Sequence, residues 1–257
     1  MTTAFPLDHR PAHISVEEWD LRVRLAACYR VVDYLGWSEM VINHITVRVP
    51  GPEKHFLINP YGLTYDEVTA SNLVKIDVDG NKVEDSPYPV NPAGFVIHSA
   101  VHQHSDNAHA IIHTHTTEGV AVATKASGLK YNNFYALQLF DQVAYHDYEG
   151  LSIRMGEQPR ILKALGNKPC LIFRNHGLLT TGHTIAMAFF HMWRLQRACE
   201  IQVLTDAMQG EDITVAPEIA QQNVIDANNF GDDGTVADKF FEGVVRKVQR
   251  LDPSYAT

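Results

Sequence analysis

Short β-branched runs alternate along this chain with longer stripes of helical period, and a two-residue repeat and a 3.6-residue repeat cannot be satisfied by one kind of element. The first stripe is Leu21, Leu25, Cys28, Val32 and Leu35, opened by a Ser15/Glu18 capping box and stopped at Gly36. It predicts a helix whose apolar face belongs to the core. The runs HITVRV (44–49) and HFLINP (55–60) then read as strands, and LVKIDVDGNKVED (73–85) has an Asp79-Gly80 pair suited to a tight hairpin turn. Together they predict a small antiparallel sheet. Pro92 opens a helix through AGFVIHSAVHQH, broken at Asp106 and Asn107 before a strand that ends in His113-Thr114-His115. VAYHDY (143–148) and CLIFRN (170–175) read as further strands, and Thr184 to Met208 as a long helix. Beyond Gly210, DANNFGDDGT (226–235) reads as turn, and VADKFFEGVVRKVQRL (236–251) as an amphipathic helix packed on the domain or on a neighbouring subunit. The expected organisation is an N-terminal arm over 1–14, one domain over 15–210 and a helical tail over 211–257.

Bulk properties narrow the function classes. With 257 residues and 45% hydrophobic content the chain can bury a sizeable core. A net charge of −9 without any cluster of cations argues against a nucleic-acid partner, since phosphate binding works through clustered Lys and Arg. No apolar stretch approaches the roughly 18 residues of a membrane span, and the N-terminus lacks a basic start with an apolar signal core, so the expected location is cytoplasmic and no membrane partner is expected. Cys28, Cys170 and Cys199 are odd in number and far apart, as expected of reduced, buried thiols.

The chemistry resides in the histidines. In a strand His113 and His115 project from one face, close enough to share a cation, and a third imidazole is available at His176, where an apolar strand breaks at Asn175 just before Gly177. Three protein ligands and an open position make a catalytic zinc-type site. Spacing alone leaves a second reading open: HxH arises by chance in a chain with 14 histidines, and His176 would then be a turn residue. His98 and His102 lie four apart on the predicted helix, as acid/base groups near a site or as packing. His146 and Asp147 are adjacent in a strand, point to opposite faces and so cannot readily pair.

The segments GWSEMVINHITVRV, HFLINPYGLTYDEVTASNLVKID, NPAGFVIHSAVH, IIHTHT, VAYHDYEG and FRNHGLL, taken in order over about Trp19 to Met208, resemble the class II aldolase/adducin family and within it the adducin head. The resemblance implies a three-layer α/β/α fold with a central, mostly antiparallel sheet, and a homotetramer with its site at a subunit interface. It implies that His113, His115 and His176 bind a divalent metal, Zn first and Mn, Fe, Co or Ni as alternatives. It also implies loop contacts to substrate by Asn43 and Gly62, and a catalytic Tyr from a second subunit, for which Tyr135 is the nearest candidate. The chain departs from the aldolase pattern where a Pro-Ser-Ser-Glu segment is expected: Pro92, Ala93, Gly94 and Phe95 stand there, which puts Phe95 at the substrate wall in place of the acid/base carboxylate. Loss of a general acid/base commonly costs ~10²- to 10⁴-fold in rate. The expectation is therefore a carbon–carbon lyase, of decarboxylase or aldolase type, acting through a metal-stabilised enolate on a small non-phosphorylated oxo or hydroxy acid, with reprotonation from water, Tyr135 or His98. The alternative is a non-catalytic scaffold of the adducin kind, although actin binding is not expected without a long basic tail. Cupin and amidohydrolase folds also use HxH with a distant His, but the long helix over 184–208 opposes the first and the central position of the pair opposes the second.

Overall fold

The computed structural model describes residues 9–105, 107–230 and 235–257. Along the chain the elements are α1 (Val16–Tyr34), β1 (His44–Arg48), β2 (Phe56–Ile58), β3 (Val74–Ile76), α2 (Pro92–His104), β4 (Ala110–Thr114), α3 (Thr117–Ala123), α4 (Phe134–Leu137), β5 (Val143–His146), α5 (Gln158–Leu165), β6 (Cys170–Phe173), β7 (Gly177–Gly182), α6 (Ile185–Asp206), α7 (Pro217–Asn229) and α8 (Val236–Leu251). The strands form one sheet in the order β3-β2-β1-β4-β7-β6-β5, antiparallel at every pairing except β5 with β6.

Both faces of the sheet are covered. Ile45, Val47, Leu57, Ala110, Ile112, Ile172 and Leu178 point into the larger cluster, shared with α1, α6 and α8. Their alternates point the other way: Ile111, Leu171, Phe173 and Leu179 pack with Ile97, Val101 and Ile161 of α2 and α5, and Phe56, Ile58, Val74 and Ile76 form a smaller cluster beside them. This period-two division makes the three-layer α/β/α fold, as expected from the resemblance. The small antiparallel sheet foreseen at the N-terminal end is thus the edge of a seven-stranded one.

Local signals explain most element ends. The Ser15 hydroxyl accepts from the Glu18 N–H at the start of α1, and the Asn91 side chain accepts from the Ala93 N–H with Pro92 at the first turn of α2. At the hairpin after β3, Gly80 takes φ +87° while Asp77 Oδ1 accepts from the amides of Asp79 and Asn81. The segment read as turn over 226–235 needs correction: Asp226 to Asn229 end α7, whose start is marked by Pro217 in the first turn. Asp106, residues 231–234 and residues 1–8 of the expected arm lie outside the described residues. Helix α8 packs on its own chain, placing Phe241, Val245 and Val248 in the larger cluster, and Tyr255 and Ala256 beyond it are buried there too.

Candidate metal centre

Strand β4 and the β6–β7 turn meet at one edge of the α2 layer. His113 lies on β4 opposite Leu179, and its Nδ1 donates to the Leu178 carbonyl at 2.8 Å. That bond fixes the tautomer and leaves the Nε2 lone pair free. His115 follows just past the strand end, where Thr116 caps α3 through the Gly119 N–H. His176 sits in the turn, with Asn175 at φ +56° and the His176 N–H donating to the Phe173 carbonyl. Gly177 is required here: a Cβ would lie 2.4 Å from the Thr114 carbonyl oxygen and 2.8 Å from His115 Cδ2.

The three imidazoles face one another. His115 Nε2 is 2.8 Å and His176 Nε2 is 3.3 Å from His113 Nε2, and one nitrogen of each ring lies within 4.8 Å of the others. Burial is the main force lowering their pKa values: His113 is held well below the ordinary range by burial and then by His115 and His176, and His176 is lowered to about 4. His115, nearer solvent, is also lowered by burial. Three neutral imidazoles presenting lone pairs to one point fit a divalent cation. The half-exposed Glu39 carboxylate lies 3.9 Å from His115 Nδ1 on the outer side, beyond hydrogen-bond distance.

The triad lies at a cleft of about 470 Å³ whose wall includes His44, Tyr61, Asn91, Pro92, Ala93 and Tyr148. Among the described residues, none lining this cleft is an Asp or Glu. His44, which no sequence pattern singled out, is a further imidazole in the lining: it pairs with His113 across β1 and β4, with ring centroids 5.0 Å apart. The alternation His44, Thr46, Arg48 on one face of β1 was the available signal.

Other expected site residues stand elsewhere. Phe95 does not line the cleft; its ring packs on the Phe56, Ile58, Val74 and Ile76 cluster and lies within 3.3 Å of where a Gly80 Cβ would stand. The α2 residue turned toward the triad's neighbour is Gly94, where a Cβ would meet the His44 ring at 2.9 Å. The correction follows from helical phase, since adjacent helix residues point about 100° apart. Asn43 is buried with Nδ2 donating to the Trp37 carbonyl at 3.4 Å, a turn contact, and Gly62 is an exposed turn glycine at φ +102°. Tyr135 packs edge-on to Trp193 at 5.2 Å against the opposite face of the sheet. His98 is buried behind His44, and His146 pairs with Glu157 at 3.1 Å rather than with exposed Asp147, separated from the triad by the Phe173 ring.

Comparison with known proteins agrees with this architecture. Residues 23–203 match the model of the class II aldolase and adducin N-terminal domain. A Caulobacter vibrioides protein carrying the provisional name aldolase class 2 protein is 44% identical over 98% of both chains. Alpha-adducin of Mus musculus is 47% identical over 74% of this chain, a match that spans 26% of that longer protein. Among solved structures, an aldolase II superfamily protein from Pseudomonas syringae superposes with TM-score 0.88 at 37% identity over 95% of this chain and 98% of that one. L-fuculose 1-phosphate aldolase from Glaciozyma antarctica superposes with TM-score 0.82 at 29% identity, over 95% and 96%. The chain belongs to the class II aldolase and adducin N-terminal domain family.

Proposed function

We propose that this protein is a divalent-metal-dependent carbon–carbon lyase acting on a small oxo or hydroxy acid, with decarboxylation favoured over aldol cleavage. The reading rests on one observation: three convergent imidazoles border a cleft that has no carboxylate among its described lining residues. His113, His115 and His176 would hold the ion, and zinc suits an all-imidazole set. A cation bound there supplies Lewis acidity, which polarises a ligated carbonyl and stabilises negative charge on the adjacent carbon.

The chain's own residues do the rest. The Leu178 carbonyl orients the His113 imidazole, so that its lone pair is presented at little reorganisation cost. At the start of α2, Pro92 and Ala93 line the cleft with apolar groups and no serine hydroxyl, which suits a non-phosphorylated substrate better than a phosphorylated one. Aldol cleavage needs a base to take a hydroxyl proton, whereas loss of CO₂ needs none to begin. Elsewhere in the lining Tyr61, Tyr148 and Ser152 bring hydroxyl groups to the cleft. In a homotetramer of the kind the resemblance to class II aldolases implies, a second subunit would add its own groups at the rim. The test is incubation of the zinc-loaded protein with a panel of 3-oxo acids, oxo-tetronates among them, whose loss of CO₂ leaves the electron pair on the carbon next to the carbonyl, and of 4-hydroxy-2-oxo acids, whose aldol cleavage does the same. Release of CO₂ or aldehyde that disappears in His113→Ala supports the reading, and absence of both products across the panel overturns it.

The 47% identity to alpha-adducin favours a second reading, a scaffold that has kept the fold without the chemistry. Under that reading the intact triad has no role, and zinc uptake would be absent or would have no consequence for turnover.

A further inference from the structure

Behind His44 a line of hydrogen-bonded side chains runs from the cleft into the space between β1 and α2. His44 Nδ1 lies 2.9 Å from His98 Nε2, His98 Nδ1 lies 2.7 Å from Thr46 Oγ1, and the same oxygen lies 2.7 Å from His102 Nε2. All four side chains are buried, with at most 2% of any residue exposed. His44 borders the cleft and has its Nδ1 engaged, so Nε2 is the nitrogen it offers to a ligand.

One proton is shared at each link, so the whole line has a single polarity. Thr46 has one O–H. If it donates to His98 Nδ1, then His98 Nε2–H donates to His44 Nδ1, and the remaining proton of His44 stands on Nε2. His102 Nε2–H then donates to Thr46 and its Nδ1 is a bare lone pair. If Thr46 donates to His102 instead, every link reverses and His44 Nε2 is bare. The two states contain the same protons and differ in whether one of them stands at His44 Nε2 or at His102 Nδ1. Burial, followed by neighbouring histidines or Arg48, holds the imidazoles in their neutral forms, His102 being lowered to about 3. The line therefore reverses without any group becoming charged.

Two ends compete for that proton. At the inner end the Ala108 backbone carbonyl favours a proton on His102, although Nδ1 there makes no well-formed hydrogen bond. At the cleft end an oxygen held beside the triad carries negative charge, accepts well from an N–H and is repelled by a bare lone pair. We propose that His44 donates from Nε2 to an anionic oxygen of the cleft ligand, and that His98, Thr46 and His102 are positioning residues that fix its tautomer for that contact. The inference rests on the proposed function for the identity of the ligand. The line of hydrogen bonds itself does not depend on that function.

The experiment is ¹⁵N spectroscopy of histidine-labelled protein, with oxalate as the probe ligand and zinc as the metal. In the zinc and oxalate complex His44 Nε2 gives a protonated-nitrogen signal and Nδ1 a bare one. Thr46→Val keeps the shape of the side chain and breaks the line: His44 loses its fixed tautomer, and oxalate binds about tenfold more weakly at unchanged zinc stoichiometry. Thr46→Ser retains the hydroxyl and the wild-type pattern. A bare Nε2 in the wild-type complex overturns the proposal whether or not the variant folds, and so does a Thr46→Val protein with unaltered His44 signals and oxalate affinity. If zinc fails to bind, the lyase reading falls separately. The metal-free comparison then decides: unchanged His44 and His98 ring-nitrogen signals in Thr46→Val overturn the linked line, and changed ones support it.

Discussion

Acid sensitivity tests the buried histidines most broadly. Burial lowers His98 and His44 well below the ordinary imidazole value, lowers His102 to about 3, and lowers His176 and His191 to about 4; His113 joins them. The unfolded chain titrates these groups near 6.5, so below that pH it binds protons the folded state refuses, and stability falls as pH falls. Each such histidine loses about 1 kcal/mol between pH 6.5 and pH 5.5, because at the lower pH the unfolded imidazole is about nine-tenths protonated while the folded one is neutral. His98, His102 and His191, which are not proposed ligands, sum to about 3 kcal/mol, and in metal-stripped protein His44, His113 and His176 bring the total to about 6 kcal/mol. That is a large part of the ~5–15 kcal/mol by which a domain is stable, and local opening that admits protons early makes the sum an upper bound. Urea denaturation followed by circular dichroism at a series of pH values in EDTA gives the slope of unfolding free energy against pH, and hence the protons taken up on unfolding. Uptake of several protons near pH 5.5 is expected; uptake of fewer than about one would refute the assignment of these histidines as neutral and buried.

Three local substitutions follow from the same geometry. Gly177→Ala forces a methyl against the Thr114 carbonyl and the His115 ring, so a loss of about 1–3 kcal/mol in chemical denaturation together with weaker zinc binding is expected, and a neutral effect on both would contradict the packing at that turn. Phe95→Glu sets a carboxylate among Phe56, Ile58, Val74 and Ile76 and not in the cleft; a drop of about 3 kcal/mol in stability with no gain in lyase rate is the expected result, whereas rescued turnover would show that position 95 faces the substrate. Arg22 is 1% exposed and joins Glu18, Glu84 and the Leu73 carbonyl, so Arg22→Met leaves the Glu18 carboxylate with one cation fewer at a cost of about 3 kcal/mol, read as a lowered melting temperature.

What the sequence made legible was whatever has a local period or a local cap. Helices α1, α2, α6 and α8 were marked by stripes, and α2 also by Pro92. Strand β4 with its two imidazoles, and the turn that presents His176, followed from alternation and from an Asn-His-Gly break. Strand β7 was not read because GLLTTG is bounded by glycine at both ends and lacks a clear alternation; it forms through pairing with β4 and β6, a long-range effect with no local sign. The role of His44 was hidden for a related reason, since its significance depends on β1 lying beside β4 and beneath α2, which places His98 and His102 against Thr46. Phe95 was put at the substrate wall by aligning it with the family's carboxylate, whereas the phase of α2 turns its ring onto the Phe56, Ile58, Val74 and Ile76 cluster.

Zinc stoichiometry after dialysis against limiting free metal shows whether the three imidazoles hold an ion. The geometry of His113, His115 and His176 predicts one ion per chain in the wild-type protein, lost when any one of the three is replaced by alanine while the circular dichroism spectrum is retained. Wild-type protein that retains no stoichiometric zinc, or a His113→Ala variant with undiminished metal content, would contradict it.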